Sequence, residues 1–385
     1  MTKSTTRRDF LASSLAVPVA ASFAGRQAET TKLDIRTLGK TGLEVTSLGF
    51  GCMTTPDPAV IERAASMGIN FFDTARVYQN GNNERMVGAA LKGKRQQVII
   101  CSKSLAKTKQ EALAELDTSL RELRTDYLDL WYLHNKNTPE ELPDELFEAQ
   151  REAKKAGKIR FAGVTTHFNM VDMLPYLVER GQTDVTLASY NFTLKPEMTD
   201  AIQAARRAGM GVVAMKVLAG GFARIQRGDR LYDAAPDALT KTLKREGAML
   251  AAIKWALKNR SVDTAIICMT NFDQLNENLR AMSEPFTDRD HELLADQMAY
   301  IGSMYCRMCG TCGGVCDKGV PVSDMLRFLS YAEGYGQFAM ARDHYLGLPA
   351  DVRRIKCRDC SSCSVNCPNG VEVQNRLIKA QALFA

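Results

Sequence analysis

The chain has 385 residues, and 50 Lys and Arg against 44 Asp and Glu give it a formal net charge of +6. With 45% hydrophobic residues it can bury a large core, and its length suits about two domains. No lysine-rich run or basic stripe interleaved with aromatic residues is present, so nucleic-acid binding is not expected. No uninterrupted apolar segment reaches the length that a membrane span requires.

The N-terminal segment has the pattern of a twin-arginine export leader. Arg7 and Arg8 precede an apolar stretch from Phe10 to Ala24, and Ser22-Phe23-Ala24 is a small-residue cleavage site. The alternative interpretation is a disordered, mildly apolar tail. The pattern predicts a signal peptide over residues 1–24 and a periplasmic or otherwise exported protein.

Residues 33–283 alternate short apolar runs with amphipathic stretches. After a hairpin predicted at Asp34–Leu38 and Glu44–Ser47, eight strand candidates follow. They are Val45–Leu48, Asn70–Phe72, Val98–Cys101, Tyr127–Leu133, Ile159–Val164, Val185–Ser189, Val212–Met215 and Thr264–Ile267. Helical periodicity lies between them, most clearly at Lys109–Leu123 and Asp144–Ala156. Eight βαβ units in about 250 residues predict a closed (β/α)8 TIM barrel. A doubly wound open sheet is the alternative, but no G-x-G-x-x-G follows the first strand.

Four polar residues, Asp73, Tyr78, Lys103 and His134, follow the ends of successive predicted strands. In a barrel these strand ends converge on one mouth, where active sites lie. Each residue alone also has a structural explanation, such as a helix cap, a loop aromatic or a satisfied buried group. Together they suit carbonyl reduction. Tyr78 would donate the proton, Lys103 would lower the pKa of that tyrosine, Asp73 would orient Lys103, and His134 would bond the substrate oxygen.

The residues around these four resemble the aldo–keto reductase signature. The matching segments are Phe72-Asp73-Thr74-Ala75-x-x-Tyr78, Asn83-Glu84-x-x-Val87-Gly88-x-x-Leu91, Lys103 and Tyr132-Leu133-His134. The resemblance covers the whole predicted barrel. It implies a (β/α)8 fold, an NAD(P)H donor and a small carbonyl or alcohol substrate.

The same resemblance implies a nucleotide site after the fifth to eighth strands. Its candidate residues are Thr165, Asn191, Lys216, Gly220, Thr270, Gln274, Glu277 and Asn278. Many NADP-preferring members carry basic residues after the eighth strand, and this chain lacks them, so both NAD(H) and NADP(H) remain open. A tightly bound nucleotide, loaded before export, would reconcile the leader with catalysis. The alternative is a degraded site that binds no nucleotide.

Eight of the eleven cysteines form two C-x2-C-x2-C-x3-C runs. In this pattern three cysteines bind one cluster and the fourth binds the other cluster of a pair. We predict two [4Fe–4S] clusters, one held by Cys306, Cys309, Cys312 and Cys367, the other by Cys357, Cys360, Cys363 and Cys316. Zinc and disulfides are the alternatives, but zinc usually takes separated pairs. The predicted module, residues 304–385, would be small, helical and ferredoxin-like, and residues 284–303 would connect it to the barrel.

Two functions follow from these features. The first is an oxidoreductase that exchanges a hydride between NAD(P)(H) and a carbonyl or alcohol. Its clusters would serve structure or electron transfer with a redox partner protein or a quinone-linked carrier. The second is an iron–sulfur electron-transfer protein whose barrel is a non-catalytic docking body. With its leader and cysteine module, the chain resembles the exported, ferredoxin-fused branch of the aldo–keto reductases.

Overall fold

The computed structural model describes residues 32–222 and 246–385, and residues 32–385 belong to one compact unit. The predicted leader over residues 1–24 lies outside the described residues. Within the described ranges, no helix is both long enough and apolar enough to cross a membrane.

Strands β3 to β10 form a closed parallel barrel, which confirms the predicted (β/α)8 fold and shows that the doubly wound alternative is wrong. The strands of the described residues are β1 (Ile35–Thr37), β2 (Glu44–Thr46), β3 (Leu48–Gly51), β4 (Phe71–Asp73), β5 (Ile99–Ser104), β6 (Leu128–Leu133), β7 (Ile159–Thr166), β8 (Val185–Ser189), β9 (Gly211–Met215) and β10 (Thr264–Cys268). The barrel closes where Ala265 of β10 pairs with Leu48 of β3.

The predicted hairpin precedes the barrel, and it shifts the start of the first barrel strand. β1 and β2 pair antiparallel, with Arg36 opposite Val45. Because Val45 belongs to this hairpin, the first barrel strand begins at Leu48, the last residue of the predicted Val45–Leu48 strand. Leu38 and Val45 pack with Phe71 inside the barrel. The hairpin therefore closes the N-terminal end of the barrel and leaves the opposite end for a site.

Helices alternate with the barrel strands. They are α1 (Pro58–Ser66), α2 (Asn82–Ala90), α3 (Lys109–Leu123), α4 (Asp144–Lys155), α5 (Met170–Arg180), α6 (Pro196–Arg207), α7 (Ala248–Lys258) and α8 (Phe272–Leu279). The bounds of α3 are the predicted ones, because the Thr108 side chain accepts the Glu111 N–H at its start and Arg124 turns left-handed at its end. Helix α4 ends before Gly157, which has a φ of +73°.

Two apolar layers stabilise the barrel. Inside it, buried side chains such as Leu130, Tyr132 and Val213 fill the space between the strands. A Cβ on Gly163 would overlap the Tyr132 ring, so this strand position has room only for glycine. Outside the barrel, a larger buried cluster lies between the strands and the helices. The interior is therefore a packed core, and a ligand of this barrel would bind at its mouth.

The C-terminal part is helical, as the spacing of its apolar residues predicts. Its helices are α9 (Asp288–Ile301), α10 (Val322–Glu333), α11 (Phe338–Leu346), α12 (Ala350–Arg354) and α13 (Val373–Phe384). The predicted connector is itself mostly the helix α9, which begins with a capping box between Thr287 and Asp290. Leu329, Leu377 and other apolar side chains of α10, α11 and α13 form a core separate from that of the barrel.

Candidate active site

The side chain of Lys103 lies at the centre of the four predicted catalytic residues. Its Nζ donates to Asp73 Oδ2 at 2.5 Å and to the Thr74 carbonyl at 2.6 Å, and it lies 3.4 Å from the Tyr78 hydroxyl. The Lys103 and Asp73 side chains are 1% and 3% exposed, so each charge depends on the other for its stability. The structure thus brings Asp73, Tyr78 and Lys103 into one hydrogen-bonded group at the mouth of the barrel.

Two signature residues of α2 fix the strand ends around this group. The Asn83 amide donates to the Cys52 carbonyl at 2.8 Å and accepts from the Thr74 hydroxyl at 2.6 Å. Glu84 is fully buried and accepts from the Ser102 hydroxyl at 2.6 Å. These bonds tie α2 to β3, β4 and β5, so the Asn-Glu pair supports the site without lining it.

A pair of histidine rings extends the site. The His134 ring lies edge-on to the Tyr78 ring with centroids 6.0 Å apart, and the His167 ring is 5.4 Å from that of His134. Burial lowers the pKa of both histidines well below its usual value, and the positive charges of Lys103 and Lys216 lower it further. Both imidazoles are therefore neutral at physiological pH, and each can donate one hydrogen bond and accept another.

The pKa of Tyr78 differs from the sequence-based prediction, in which Lys103 lowers that pKa. Burial raises the pKa of Tyr78 well above its usual value, and the negative charge of Asp73 raises it further. The reason is geometric, because the Lys103 ammonium lies closer to the Asp73 carboxylate than to the phenol. Tyr78 is therefore a firmly protonated phenol, which is suited to donating a proton.

Two predicted nucleotide-site residues, Thr165 and Asn191, are engaged within the protein. The Thr165 hydroxyl accepts the Asn135 N–H at 2.8 Å. The Asn191 amide donates to the Lys216 carbonyl at 3.0 Å and accepts from the Thr193 hydroxyl at 2.7 Å. Thr165 thus fixes the loop after β6, and Asn191 ties the loop after β8 to the loop after β9. The amide of a ligand would share these partners.

The loop after β9 places Lys216 in the pocket and Gly220 against the C-terminal part. Both residues have left-handed backbones, with φ of +55° and +87°. A Cβ on Gly220 would lie 3.0 Å from the Tyr305 ring. A Cβ on Gly334 would overlap the Gly220 carbonyl. Residues after α10 therefore cover part of the loop that was predicted to approach a pyrophosphate, while Gly221 still lines the pocket.

The predicted nucleotide-site residues that follow β10 do not all lie at the pocket. Thr270 and Gln274 line the pocket, where the Thr270 N–H donates to Gln274 Oε1 at 2.9 Å. Asn278 is fully buried, and in the described part of the chain neither atom of its amide has a hydrogen-bond partner. Such an amide fits a ligand edge that presents a donor beside an acceptor, as an adenine does. Glu277 lies instead in a separate groove beside Lys254.

The pocket at the mouth has about 950 Å³ of empty space, part of which is open to solvent. Asp73, Tyr78 and the residues after β9 and β10 form one side of it. Tyr331 and Tyr335, whose rings stack with centroids 5.7 Å apart, form another. The sequence analysis missed these tyrosines. Their only signal is an i, i+4 aromatic pair at the end of a helix, and this spacing does not reveal where the helix packs.

The eight cysteines of the two runs are free thiols in the structure. Burial, and after it the nearby thiols of Cys312, Cys309 and Cys367, raise the pKa of Cys306 to about 12. Burial, and after it the nearby thiols of Cys360, Cys316 and Cys363, raise the pKa of Cys357 to about 11. Each run thus contributes three thiols to one group and its last thiol to the other.

An antiparallel bridge between Gly313 and Asn366 ties the two runs together. Within residues 32–222 and 246–385, no three His, Cys, Asp or Glu side chains are arranged to hold a metal ion.

Comparison with known proteins places the barrel in a family. The model of the aldo/keto reductase family matches residues 49–297. L-galactose dehydrogenase of Arabidopsis thaliana is 27% identical over 287 residues, which cover 66% of this chain and 89% of that protein. Aldo-keto reductase YhdN of Bacillus subtilis is 34% identical over 158 residues, 34% of this chain and 47% of that protein. The holo form of aldo-keto reductase AKR11C1 from Bacillus halodurans superimposes with a TM-score of 0.58 at 25% identity, over 69% of this chain and 96% of that one.

The fold and the matched signature define an oxidoreductase of the barrel type. The chain belongs to the aldo/keto reductase family, and it is an NAD(P)-dependent oxidoreductase of that class.

Proposed function

We propose that the barrel exchanges a hydride between NAD(P)(H) and a small carbonyl or alcohol compound, with Asp73, Tyr78, Lys103 and His134 as its catalytic residues. The observation that carries this proposal is the contact of Lys103 Nζ with both Asp73 and the Tyr78 hydroxyl at the mouth of the barrel. The pocket at the mouth has room for part of a nucleotide, and the unpartnered amide of Asn278, one turn along α8 from the pocket residue Gln274, suits an adenine edge. Thr165, Asn191, Gly220, Thr270 and Gln274 would complete the nucleotide site, whereas the separate position of Glu277 speaks against a direct contact from that residue.

In the reduction, a bound NAD(P)H supplies the hydride that the carbonyl carbon accepts. Tyr78 donates its phenolic proton to the carbonyl oxygen, so the product is an alcohol and the tyrosine is left as a phenolate. The Nζ of Lys103 lies 3.4 Å from the Tyr78 oxygen, so it stabilises the phenolate until a proton from solvent restores the phenol. Neutral His134 donates a hydrogen bond to the same carbonyl oxygen and orients it.

The cysteine module would hold two [4Fe–4S] clusters. Support comes from the two groups of four thiols, which have the membership expected when runs of this spacing exchange their last ligands. A cluster binds each thiolate through a different iron, so its ligands are spread more widely than the ligands of a single ion. Tyr305, next to Cys306, reaches the Asn191 amide at 3.5 Å, which would bring one cluster close to the mouth of the barrel. From there the clusters could exchange electrons with a redox partner protein or a quinone-linked carrier.

Substitution of the acid tests the catalytic proposal. Tyr78→Phe removes one hydroxyl, and turnover of a carbonyl substrate should fall roughly 10²-fold or more. Lys103→Met should also lower turnover strongly. Both variants should retain the absorbance of the clusters and the bound nucleotide, which mass spectrometry of anaerobically purified protein would identify. Tyr176→Phe, on α5 and outside the pocket, is the matched control. Wild-type turnover in Tyr78→Phe would instead favour an electron-transfer protein with an idle barrel.

Export through the twin-arginine pathway is the remaining part of the proposal, and it rests on Arg7-Arg8 ahead of the apolar stretch. Replacement of both arginines by lysine should leave the precursor in the cytoplasm. Cell fractionation measures the location of this variant. Processed variant protein outside the cytoplasm would contradict the prediction of a twin-arginine leader.

A further inference from the structure

Lys216 is a cation deep in the pocket with no carboxylate bound to it. Its Nζ lies 3.1 Å from His167 Nδ1 and 4.0 Å from Met215 Sδ. Among the described residues it forms no ion pair, and its half-buried side chain lines the pocket. A partly buried ammonium without an acidic partner is better stabilised in a complex with an anion than in the free protein.

The surroundings of Lys216 strengthen the positive potential. Arg327 of α10 lies close by, but its own guanidinium is engaged, since it donates to Asp324 at 2.6 Å and to the Tyr331 hydroxyl at 3.0 Å. Burial lowers the pKa of Lys216 well below its usual value, and the charge of Arg327 lowers it further. On the other side, His167 Nε2 has no hydrogen-bond partner in the described part of the chain. Two neighbouring nitrogen atoms are therefore available to a ligand, and a bound anion would favour the charged form of Lys216.

The distance between this pair and Tyr78 limits the shape of the ligand. The Tyr78 and His134 rings are 6.0 Å apart, and the His134 and His167 rings are 5.4 Å apart. The Tyr78 and His167 rings are therefore at most 11.4 Å apart, and Tyr78, His167 and Lys216 line the same pocket. One small molecule with a short carbon chain between an anionic group and a carbonyl can reach both Lys216 and the phenol.

We propose that the substrate is an oxo acid whose carboxylate binds Lys216 and His167 while its carbonyl, at the other end of a short chain, lies at Tyr78. This proposal rests on the proposed function. The carbonyl takes the hydride of the reduced nicotinamide and the Tyr78 proton, and the product is the corresponding hydroxy acid. The stacked Tyr331 and Tyr335 cover the chain between the two polar ends, and Arg327 holds Tyr331 in place.

The same cation could instead serve a phosphate of the nucleotide, so the test must separate the two anions. Succinate semialdehyde and butanal have the same number of carbons and one aldehyde each, but only the first carries a carboxylate. Full-length protein, purified anaerobically, is assayed with both. We expect the wild type to prefer succinate semialdehyde. Lys216→Met should lower kcat/KM for it roughly 10-fold or more, mainly through KM, because a charge-assisted hydrogen bond is lost. Turnover of butanal should change little.

Binding measured without turnover completes the test. Butanoate and its uncharged amide, butanamide, are titrated against the protein, and so are NADH and NADPH, followed by nicotinamide fluorescence. Butanoate should bind the wild type more tightly than butanamide, and Lys216→Met should abolish the difference while leaving the nucleotide affinities unchanged. Lys216→Arg should retain the preference, and Lys92→Met, which removes an exposed charge, should behave as the wild type.

Three outcomes would overturn the proposal. Equal binding of butanoate and butanamide by the wild type would show that there is no carboxylate site. A loss of nucleotide affinity in Lys216→Met that matches the loss for butanoate would assign the cation to a nucleotide phosphate. A changed reduction potential of the clusters in Lys216→Met, without any change in carboxylate binding, would show that Lys216 acts on the cysteine module. If neither aldehyde is turned over, the proposed function fails, and the binding measurements still decide whether the carboxylate site exists.

Discussion

Asp73 determines how Lys103 acts on the phenol. The carboxylate takes the closest contact of the ammonium, at 2.5 Å, and the phenol receives the longer one. The Asp73 carboxylate therefore partly neutralises the charge of Lys103, which weakens the effect of that charge on Tyr78. Burial is the larger influence on the pKa of Tyr78. The pair suits an acid that stays protonated until the substrate oxygen accumulates negative charge.

The pH dependence of the two directions of reaction should follow from this raised pKa. A phenol with a pKa above its ordinary value of about 10 stays protonated through the alkaline range, so the reduction rate should hold to about pH 10. Alcohol oxidation needs the phenolate and should become faster as the pH rises. Profiles of kcat/KM against pH in both directions measure this. The lowered pKa values of His134 and His167 predict no inflection between about pH 6 and 8, and a midpoint there would contradict the assignment.

At the residue scale, the sequence predicts the grouping of Asp73, Tyr78, Lys103 and His134, but it does not predict the contact between Lys216 and His167. Asp73, Tyr78, Lys103 and His134 follow successive strands, and neighbouring strand ends must meet in a barrel, so chain order alone brings them together. The contact of His167 with Lys216 joins the loops after β7 and β9, between which β8 lies. Only the path of those loops, including the left-handed backbone of Lys216, brings the two side chains into contact.

Among the elements, α10 has the largest consequence for the site. It packs in the core of the C-terminal part through Leu326 and Leu329 and presents Tyr331 to the barrel. Periodicity predicts this helix, because apolar residues recur along one face. It does not predict the docking of the helix, because the contact between Gly334 and the Gly220 carbonyl involves two backbones and leaves no pattern in the side chains.

Gly334→Ala should disturb this docking. An added Cβ would overlap the Gly220 carbonyl, and neither backbone can move without shifting α10 or the loop after β9. We expect a loss of about 1–3 kcal/mol in the free energy of unfolding, the usual scale for an overpacked contact, and a raised KM. Thermal unfolding and steady-state kinetics measure the two effects. Gly347→Ala, in the same part of the chain with the nearest contact at 3.4 Å, is the control. Equal unfolding stability and equal KM in the two variants would show that the contact between Gly334 and Gly220 does not hold α10 against the barrel.

For the whole molecule, the two cysteine runs act as one unit. The thiol groups interleave, and the bridge between Gly313 and Asn366 joins the runs close to their last cysteines. The cysteine spacing predicts that each run gives its last thiol to the group of the other run, because the proposed cluster chemistry requires this exchange. The spacing does not reveal that the residues between the runs form a wall of the barrel's pocket.

Cys316→Ala should damage the cluster of the other run. The last cysteine of the first run groups with Cys357, Cys360 and Cys363, so its loss should destabilise that cluster and leave the one at Cys306 intact. Iron and sulfide should fall from about eight atoms of each per chain toward about four. Electron paramagnetic resonance of the reduced protein would identify the surviving cluster. Cys101→Ala, within the barrel, should keep both clusters. Loss of the cluster at Cys306 instead would refute the exchange of ligands.

Tyr78 and Tyr331 line one pocket, yet they are separated by about 250 residues of chain. At synthesis rates of roughly 5–20 residues per second, they leave the ribosome about 10–50 s apart. The barrel can close only after β10, which ends at Cys268, has been made, so most of that interval is spent completing the barrel itself. About 60 further residues then separate a closed barrel from the tyrosine that walls its pocket, and a barrel that folds as it emerges would for that time expose its proposed proton donor at an open mouth.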